Sequence, residues 1–202
     1  MLFNTTIFGP IRSRRLGNSL GINLLPNNGK ICSFDCIYCE CGLNKDGRED
    51  TKLSTREEVK TELEAKLKAL KSSNAVVDTF TFAGNGEPTM HPDFLGIIQD
   101  TCALRDQFCP EAKVSVLSNS TQLSRPDVLQ ALMLCDNRIL KLDSAIDATM
   151  QLIDQPVNHQ LTVQQIVNNL QYFNGQFTLQ TCFLRGEYHG QIIDNTTPEE
   201  LQ

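Results

Sequence analysis

The sequence predicts an α/β fold, a partial (βα) barrel of about five to six parallel strands, and three observations support it. Five short segments have the composition or alternation of β-strands, and segments with helical spacing separate them along the chain. The strand segments also carry polar residues on one face, as in 177–184, where Thr178, Gln180 and Cys182 alternate with apolar residues. A doubly wound sheet is buried on both faces, so this pattern favours a curved sheet with a site inside it.

The strands are identified in chain order by their patterns. In the first, apolar residues occupy every second position before the turn cluster Pro26-Asn27-Asn28-Gly29. The second is rich in β-branched and aromatic residues and runs into the turn Gly84-Asn85-Gly86-Glu87-Pro88. The predicted strands are 19–25, 76–83, 113–118, 138–143 and 177–184.

Helix signals lie between these strands. The first helix begins at the capping-box spacing Ser54-Thr55-Arg56-Glu57 and continues with an apolar stripe. The second has Pro92 in its first turn, and the third opens at Arg125-Pro126-Asp127. A fourth helix is predicted over 161–173, and a further one begins near Thr197.

Composition indicates an ordinary globular protein. Of its 202 residues, 40% are hydrophobic and 21% are charged, and the net charge of −6 argues against a general nucleic-acid coat. No basic and apolar leader begins the chain, and no apolar run approaches the roughly 20 residues of a membrane helix. We therefore expect a cytoplasmic protein without membrane contact, whose thiols stay reduced.

Four of the eight cysteines fall within ten residues, Cys32 to Cys41. The spacing C-x3-C-x2-C of Cys32, Cys36 and Cys39 can bring three thiolates to three corners of a [4Fe–4S] cluster, which leaves one iron open to a small molecule. A structural zinc ion needs four ligands, and Cys41 could supply the fourth only through a sharp bend. The spacing favours a cluster over zinc, and reduced thiols disfavour disulfides.

Two motifs together resemble the radical S-adenosylmethionine (radical SAM) superfamily. One is C-x3-C-x2-C with an aromatic residue, Tyr38, before the last cysteine, and the other is Gly84-Asn85-Gly86-Glu87-Pro88, which is similar to the family's Gly-Gly-Glu turn. The resemblance implies that Cys32, Cys36 and Cys39 ligate the cluster. It also implies that Gly84, Asn85, Gly86 and Glu87 hold the amino end of the methionine moiety and that Tyr38 lies near the adenine. In the turn, the glycines would allow close backbone approach and Asn85 would tolerate a left-handed conformation.

The resemblance also implies a domain and a reaction. The chain would be one radical SAM core domain over 1–202, either a naturally short barrel or one truncated after the fifth strand, since the family's barrel usually has six. The [4Fe–4S] cluster and S-adenosyl-L-methionine would yield a 5′-deoxyadenosyl radical that abstracts hydrogen from a substrate, an oxidoreductase-like reaction. The partners would be a one-electron donor such as flavodoxin or ferredoxin and a small-molecule, tRNA or protein substrate. No catalytic side chain is assigned.

Further candidates lie at strand ends. The resemblance implies that Ser118 and Asn119 face the methionine carboxylate or the ribose, and that Asp143 and Ser144 assist there. A helix cap or a strand-end salt bridge is an equal alternative for Ser118 and Asp143. Lys141 shares the inward face of its strand with Asp143. At the end of the fifth strand, Gln180, Cys182 and a turn formed by Arg185-Gly186-Glu187 would suit the adenine or the substrate.

Three arginines near the start of the chain could clamp a phosphate or carboxylate, or could form a solvated basic surface: Arg12, Arg14 and Arg15. Their segment, 9–21, is similar to a subgroup of stand-alone iron–sulfur oxidoreductases related to wyosine-forming enzymes. Two alternatives to the radical enzyme stay open. One is an iron–sulfur electron-transfer protein in which Cys41 or another thiol closes the cluster, and the other is a non-catalytic zinc-binding module.

Overall fold

The computed structural model describes residues 2–46 and 51–201. A six-stranded sheet has the order β1-β2-β3-β4-β5-β6, and β7 and β8 form a separate two-stranded sheet. The strands are β1 (Ile7–Ser13), β2 (Gly17–Ile22), β3 (Thr79–Phe82), β4 (Lys113–Ser118), β5 (Asn137–Lys141), β6 (Thr178–Gln180), β7 (Arg185–Tyr188) and β8 (Gln191–Asp194). The α-helices are α1 (Arg56–Ser72), α2 (Phe94–Phe108), α3 (Pro126–Met133), α4 (Asp147–Asp154), α5 (Val163–Leu170) and α6 (Pro198–Leu201).

Strands β2 to β6 are parallel and neighbour one another in chain order. Crossovers of one hand between consecutive strands place their helices on the same face of the sheet, and α1 contacts α2, which contacts α3. This is the winding of a barrel, and it confirms the predicted α/β fold with a mostly parallel sheet. None of the helices described here is both long and apolar enough to cross a membrane.

The two faces of the sheet differ in chemistry. The helix-covered face carries a buried core with Leu20, Ile22, Phe80, Phe82, Val114, Val116 and Leu140. On the opposite face the Ser19 and Thr81 hydroxyl groups lie 2.7 Å apart, and the Thr79 and Ser115 hydroxyl groups 2.8 Å apart. The Asn137 side chain donates to Ser115 Oγ at 3.0 Å. The polar positions read from the strand patterns therefore pair with one another across the strands.

Four elements are absent from the sequence-based prediction, namely β1, α4, β7 and β8. Strand β1 pairs antiparallel with β2 in the segment read only as basic, and α4 follows β5. The turn predicted at Arg185-Gly186-Glu187 is wrong, because these residues belong to β7, which pairs with β8. The polar, glycine-containing sequence of β7 has no strand pattern, so its conformation depends on pairing with β8.

The N-cap of helix α1 lies one residue later than predicted, at Thr55. The capping box uses Thr55 and Glu58, with the Thr55 side chain accepting from the Glu58 amide and the Glu58 carboxylate accepting from the Thr55 amide. The predicted box started at Ser54. The Ser54 carbonyl instead accepts from the ring of His91 at 2.8 Å if Nε2 carries the proton.

The segment between β2 and α1 is attached to the turn after β3 by backbone pairing. Ile31 forms a parallel bridge with Gly86, in which the Ile31 amide donates to the Asn85 carbonyl at 3.1 Å and the Glu87 amide donates to the Ile31 carbonyl at 3.0 Å. Gly86 has φ +136°, and a Cβ there would lie 1.9 Å from the Ile31 oxygen. Gly86 therefore lets the cysteine segment approach the turn.

Gly84 has a related role. It has φ +149°, and a Cβ there would lie 2.5 Å from Asn23 Oδ1. Asn85 does not use the left-handed conformation that it would tolerate, since within this turn only the two glycines have positive φ.

We expect Gly86→Ala to reduce the free energy of unfolding by at least about 2 kcal/mol, because the methyl group overlaps a carbonyl and the backbone is strained. Gly175→Ala is the matched control: Gly175 also has positive φ, +76°, but a Cβ there meets nothing within 4 Å. It should cost only about 1 kcal/mol from strain. Urea unfolding of the two variants measures both values, and equal losses would contradict the role given to the Ile31 contact.

Candidate metal and cofactor site

A cavity of about 290 Å³ lies at the carboxyl ends of β3 to β6. This is the end where parallel sheets bind ligands, because the loops that follow the strands converge there. One wall is the cysteine segment, with Cys32, Cys36, Tyr38 and Cys39. The other walls include Gly84, Gly86, Glu87, Ser118, Asn119, Lys141 and Gln180. Most of the residues predicted from separate motifs thus line one space.

The three cysteine thiols of the motif are free and half-buried. Burial raises the pKa of the Cys32 thiol to about 11 and that of Cys36 to about 12. A hydrogen bond from the Cys41 side chain lowers the pKa of Cys39 to about 5. The Cys41 sulfur also lies 3.4 Å from the Gly84 carbonyl oxygen. The fourth cysteine therefore lies beside Cys39 and against the glycine turn.

The thiol arrangement is compatible with a multi-iron cluster. Across residues 2–46 and 51–201, no three His, Cys, Asp or Glu side chains are gathered closely enough to hold one metal ion. A structural zinc ion would need four ligands around it. A [4Fe–4S] cluster places each thiolate on its own iron, so its ligands need only face one space, as Cys32, Cys36 and Cys39 do.

Lys141 connects the cysteine wall to the end of β5. Its Nζ lies 2.9 Å from Cys36 Sγ and 3.1 Å from Asp143 Oδ2, and it forms a further ion pair with Asp154. The Phe34 and Tyr38 rings have centroids 5.0 Å from the same nitrogen. Burial alone would lower the pKa of Lys141, but Asp154, Cys36 and Asp143 outweigh it and raise the pKa. The lysine is therefore a fixed positive charge next to a predicted metal ligand.

A second buried lysine, which the sequence did not single out, lies behind the other side of the motif. The Lys30 side chain is 1% exposed, and its Nζ donates to Asp35 Oδ1 and to the Gly42 carbonyl, both at 3.0 Å. Burial opposes its charge, but Asp35 and the nearby Cys39 and Cys32 raise its pKa. Its position two residues before Cys32 was visible in the sequence, whereas its burial depends on the folded loop.

Glu87 holds two strand ends together. Its carboxylate is buried, accepts from the Asn119 amide at 2.6 Å and also accepts from the amide and hydroxyl of Thr89. Burial raises its pKa. Asn119 Nδ2 in turn donates to Ser33 Oγ at 2.8 Å and approaches Cys32 Sγ at 3.5 Å. Glu87 and Asn119 therefore link the glycine turn, the end of β4 and the cysteine segment.

Asp143 is buried beneath Tyr38. The Tyr38 hydroxyl donates to Asp143 Oδ2, and the Cys182 amide donates to Asp143 Oδ1 at 2.9 Å. Burial, together with the charge of Asp143, raises the pKa of Tyr38. These contacts, with Lys141, fix the tyrosine ring on the cavity wall.

Three predicted site residues are not among those lining the cavity in the described part of the chain: Asp143, described above, and Asn85 and Ser144. The side-chain nitrogen of Asn85, Nδ2, donates to the carbonyl groups of Phe3 at 2.8 Å and Pro26 at 2.7 Å. Ser144 Oγ donates to the Ile146 carbonyl at 2.9 Å and lies 2.8 Å from a Glu200 carboxylate oxygen. Both side chains anchor segments near the chain ends, contacts that no local motif records.

Comparison with known proteins gives several relatives of similar sequence. The chain is 31% identical to a UPF0026 protein of Helicobacter pylori over 89% of its own length and 56% of that protein. It is 31% identical to a UPF0026 protein of Methanocaldococcus jannaschii over 95% of its own length and 53% of that protein. It therefore spans about half the length of these relatives. A protein named GTPase Obg from Brachyspira hyodysenteriae is 34% identical, with 25% of its length matched.

A solved structure has a similar fold, and a family model matches the sequence. The crystal structure of a radical SAM methyltransferase from Sphaerobacter thermophilus superposes with a TM-score of 0.59 at 13% identity, covering 90% of this chain and 50% of that one. The family model of the radical SAM superfamily matches residues 28–193, a span that contains both the cysteine motif and the glycine turn. With that match over most of its length, the chain belongs to the radical SAM superfamily.

Proposed function

We propose that this protein is an enzyme that holds a [4Fe–4S] cluster on Cys32, Cys36 and Cys39 and binds S-adenosyl-L-methionine in the same cavity. The observation that carries the proposal is the convergence of these three thiols and the glycine turn on one space at the strand ends. When bound, the two groups supply a 5′-deoxyadenosyl radical that removes a hydrogen atom from a substrate.

The side chains of the cavity have distinct tasks in this proposal. The Gly84 and Gly86 backbone, which lines the cavity, receives the amino acid end of the cofactor, with the Glu87 carboxylate beside it. Ser118 and Asn119 offer polar groups at the end of β4, and the Tyr38 ring offers a flat surface for the adenine. Asn85, Asp143 and Ser144 act indirectly, because they hold the turn, the tyrosine and the loop after β5.

The remaining partners follow from this chemistry. A one-electron donor such as flavodoxin or ferredoxin would reduce the cluster, and a reducing, cytoplasmic setting suits free cysteines. The substrate is a small molecule, a tRNA or a protein. The arginine-containing opening segment supports a place in the oxidoreductase subgroup related to wyosine-forming enzymes.

A second candidate function is electron transfer by a fully ligated cluster. The observation that favours it is the position of Cys41, whose thiol hydrogen-bonds Cys39 and could become a fourth ligand. A fourth thiolate would occupy the iron that S-adenosyl-L-methionine needs, so the two functions exclude each other.

Anaerobic reconstitution of two matched alanine variants separates these functions. We expect Cys41→Ala to retain about four iron atoms and four sulfide ions per chain, and Cys39→Ala to lose most of them. Iron and sulfide analysis with visible absorption measures both. Loss of the cluster from Cys41→Ala would favour the electron-transfer protein.

The reconstituted wild-type chain, reduced with dithionite, is expected to convert S-adenosyl-L-methionine to methionine and 5′-deoxyadenosine, and Cys36→Ala is expected to form neither. Chromatography of the products makes the measurement. An intact cluster that neither binds nor cleaves S-adenosyl-L-methionine would contradict the proposed function. If S-adenosyl-L-methionine is cleaved, deuterium transfer from labelled candidate substrates into 5′-deoxyadenosine identifies the substrate.

Lys141 should affect the reduction potential, because its charge lies 2.9 Å from Cys36 Sγ. Reduction adds negative charge to the cluster, and a nearby cation favours that charge. We expect Lys141→Gln to lower the midpoint potential by roughly 50 mV, about 1 kcal/mol for one electron. An EPR-monitored redox titration measures this shift.

Asp154→Asn is the matched control for this titration. Burial raises the pKa of Asp154 to about 7, so at about pH 8.5 its carboxylate is ionised and its removal should raise the potential. Opposite shifts in the two variants separate a charge effect from loss of structure. Shifts of the same sign would contradict the electrostatic role of Lys141.

A further inference from the structure

We infer that a second cavity, on the polar face of the sheet beside the cluster site, binds the substrate, and that Arg15 selects a small organic anion there. The inferred ligand has a carboxylate or phosphate group on a body about the size of one ring. The inference deepens the proposed function, since the cavity would hold the molecule from which hydrogen is removed.

The second cavity adjoins the cysteine cavity. It measures about 210 Å³, and Ala83 and Leu117 line both spaces. Ala83 follows β3 and Leu117 lies near the end of β4, so the two cavities meet at the carboxyl ends of neighbouring strands. A molecule in the second cavity would be next to the groups bound in the first. Drug-sized ligands occupy pockets of about 300–1,000 Å³, so this space suits a smaller molecule.

Most of the wall is apolar and comes from the start of the chain. The Phe8 ring lies directly over Gly21, where a Cβ would come within 2.1 Å of it, and Phe3 stacks on Phe8 with ring centroids 3.8 Å apart. Ile11, which is 49% exposed, and Leu16 continue this wall. An exposed aliphatic side chain at the rim of an apolar cavity is a surface that a ligand body can cover.

Arg15 is the arginine of the opening segment that lines this cavity, together with Ile11 and Ser13. Arg12 and Arg14 line a different depression beside Asp78, and a further open depression is lined by Ser13, Arg14 and Arg15. The described residues place no carboxylate within 4.0 Å of the Arg15 guanidinium. Arg15 is thus a cation at the rim of an apolar space.

The polar side chains that line this cavity with Arg15 include the uncharged Ser19 and Thr81. Their hydroxyl groups are paired with each other at 2.7 Å. They can add hydrogen bonds to a ligand, but neither carries charge. A guanidinium group binds carboxylate and phosphate through two parallel hydrogen bonds, which an alcohol cannot accept in the same way. The geometry therefore selects an anion attached to an apolar body.

Isothermal titration calorimetry on the reconstituted full chain tests this inference with phenylacetate, phenyl phosphate and the neutral phenethyl alcohol. We expect at least one anion to bind about tenfold more tightly than the alcohol. Arg15→Gln should abolish that preference and leave alcohol binding unchanged, and Arg15→Lys should keep part of it. Arg12→Gln is the control, because it removes the same charge from a nearby position that lines a different depression.

The results separate ligand classes and separate this inference from the proposed function. Preference for phenylacetate indicates a carboxylate substrate, and preference for phenyl phosphate indicates a phosphorylated one. No binding, equal binding of anion and alcohol, or equal effects of Arg12→Gln and Arg15→Gln would overturn the inference, with circular dichroism establishing that the variants fold. No dithionite or S-adenosyl-L-methionine is present, so failure here leaves the cluster and cleavage results standing.

Discussion

The backbone pairing between Ile31 and Gly86 is the contact on which the site depends. It fixes the start of the cysteine segment against the turn after β3, so Cys32 emerges at the mouth of the sheet. The segment is fixed again further along, where the Asp35 amide donates to the Asp154 carbonyl at 3.0 Å and the Ile37 amide to the Ile153 carbonyl at 2.9 Å. A segment without regular structure is thereby held across the strand ends, and its thiols face inward without secondary structure of their own.

Charge in the cysteine wall is balanced locally within an acidic chain. Thiolates facing a buried cavity are costly unless cations or hydrogen bonds offset them. Lys141 lies beside Cys36. Lys30 donates a hydrogen bond to Asp35, and Asp35, Cys39 and Cys32 raise the pKa of Lys30. Each lysine also has a carboxylate partner, so neither is an isolated buried charge when the thiols are protonated. The net charge of −6 therefore says little about the site, where Lys141 lies 2.9 Å from Cys36 Sγ.

The sequence was sufficient for the parts of the molecule that local patterns determine. The parallel strands and their helices follow apolar periodicity, and the cysteine and glycine motifs use residue types with few other reasons to occur at that spacing. Strand β1, helix α4 and the β7–β8 hairpin were missed because pairing with distant segments stabilises them. The contacts of Asn85 with Phe3 and of Ser144 with Glu200 join residues 82 and 56 positions apart, so no motif could assign those side chains to the fold.

A sheet wound in one direction leaves one face without helices, and that face must satisfy its own polar groups. Here hydroxyl pairs such as Thr79 with Ser115 do so toward the amino ends of the strands, and the cysteine segment covers the carboxyl ends. Between them, the antiparallel strand β1 and the stacked Phe3 and Phe8 rings cover one side. Because the helices occupy the opposite face, this hairpin covers the polar face beside the cysteine cavity, and Ala83 and Leu117 line the spaces on both sides of that boundary. Arg15 and Leu16 in its turn also line the inferred ligand cavity, so the hairpin and the sheet form that cavity together.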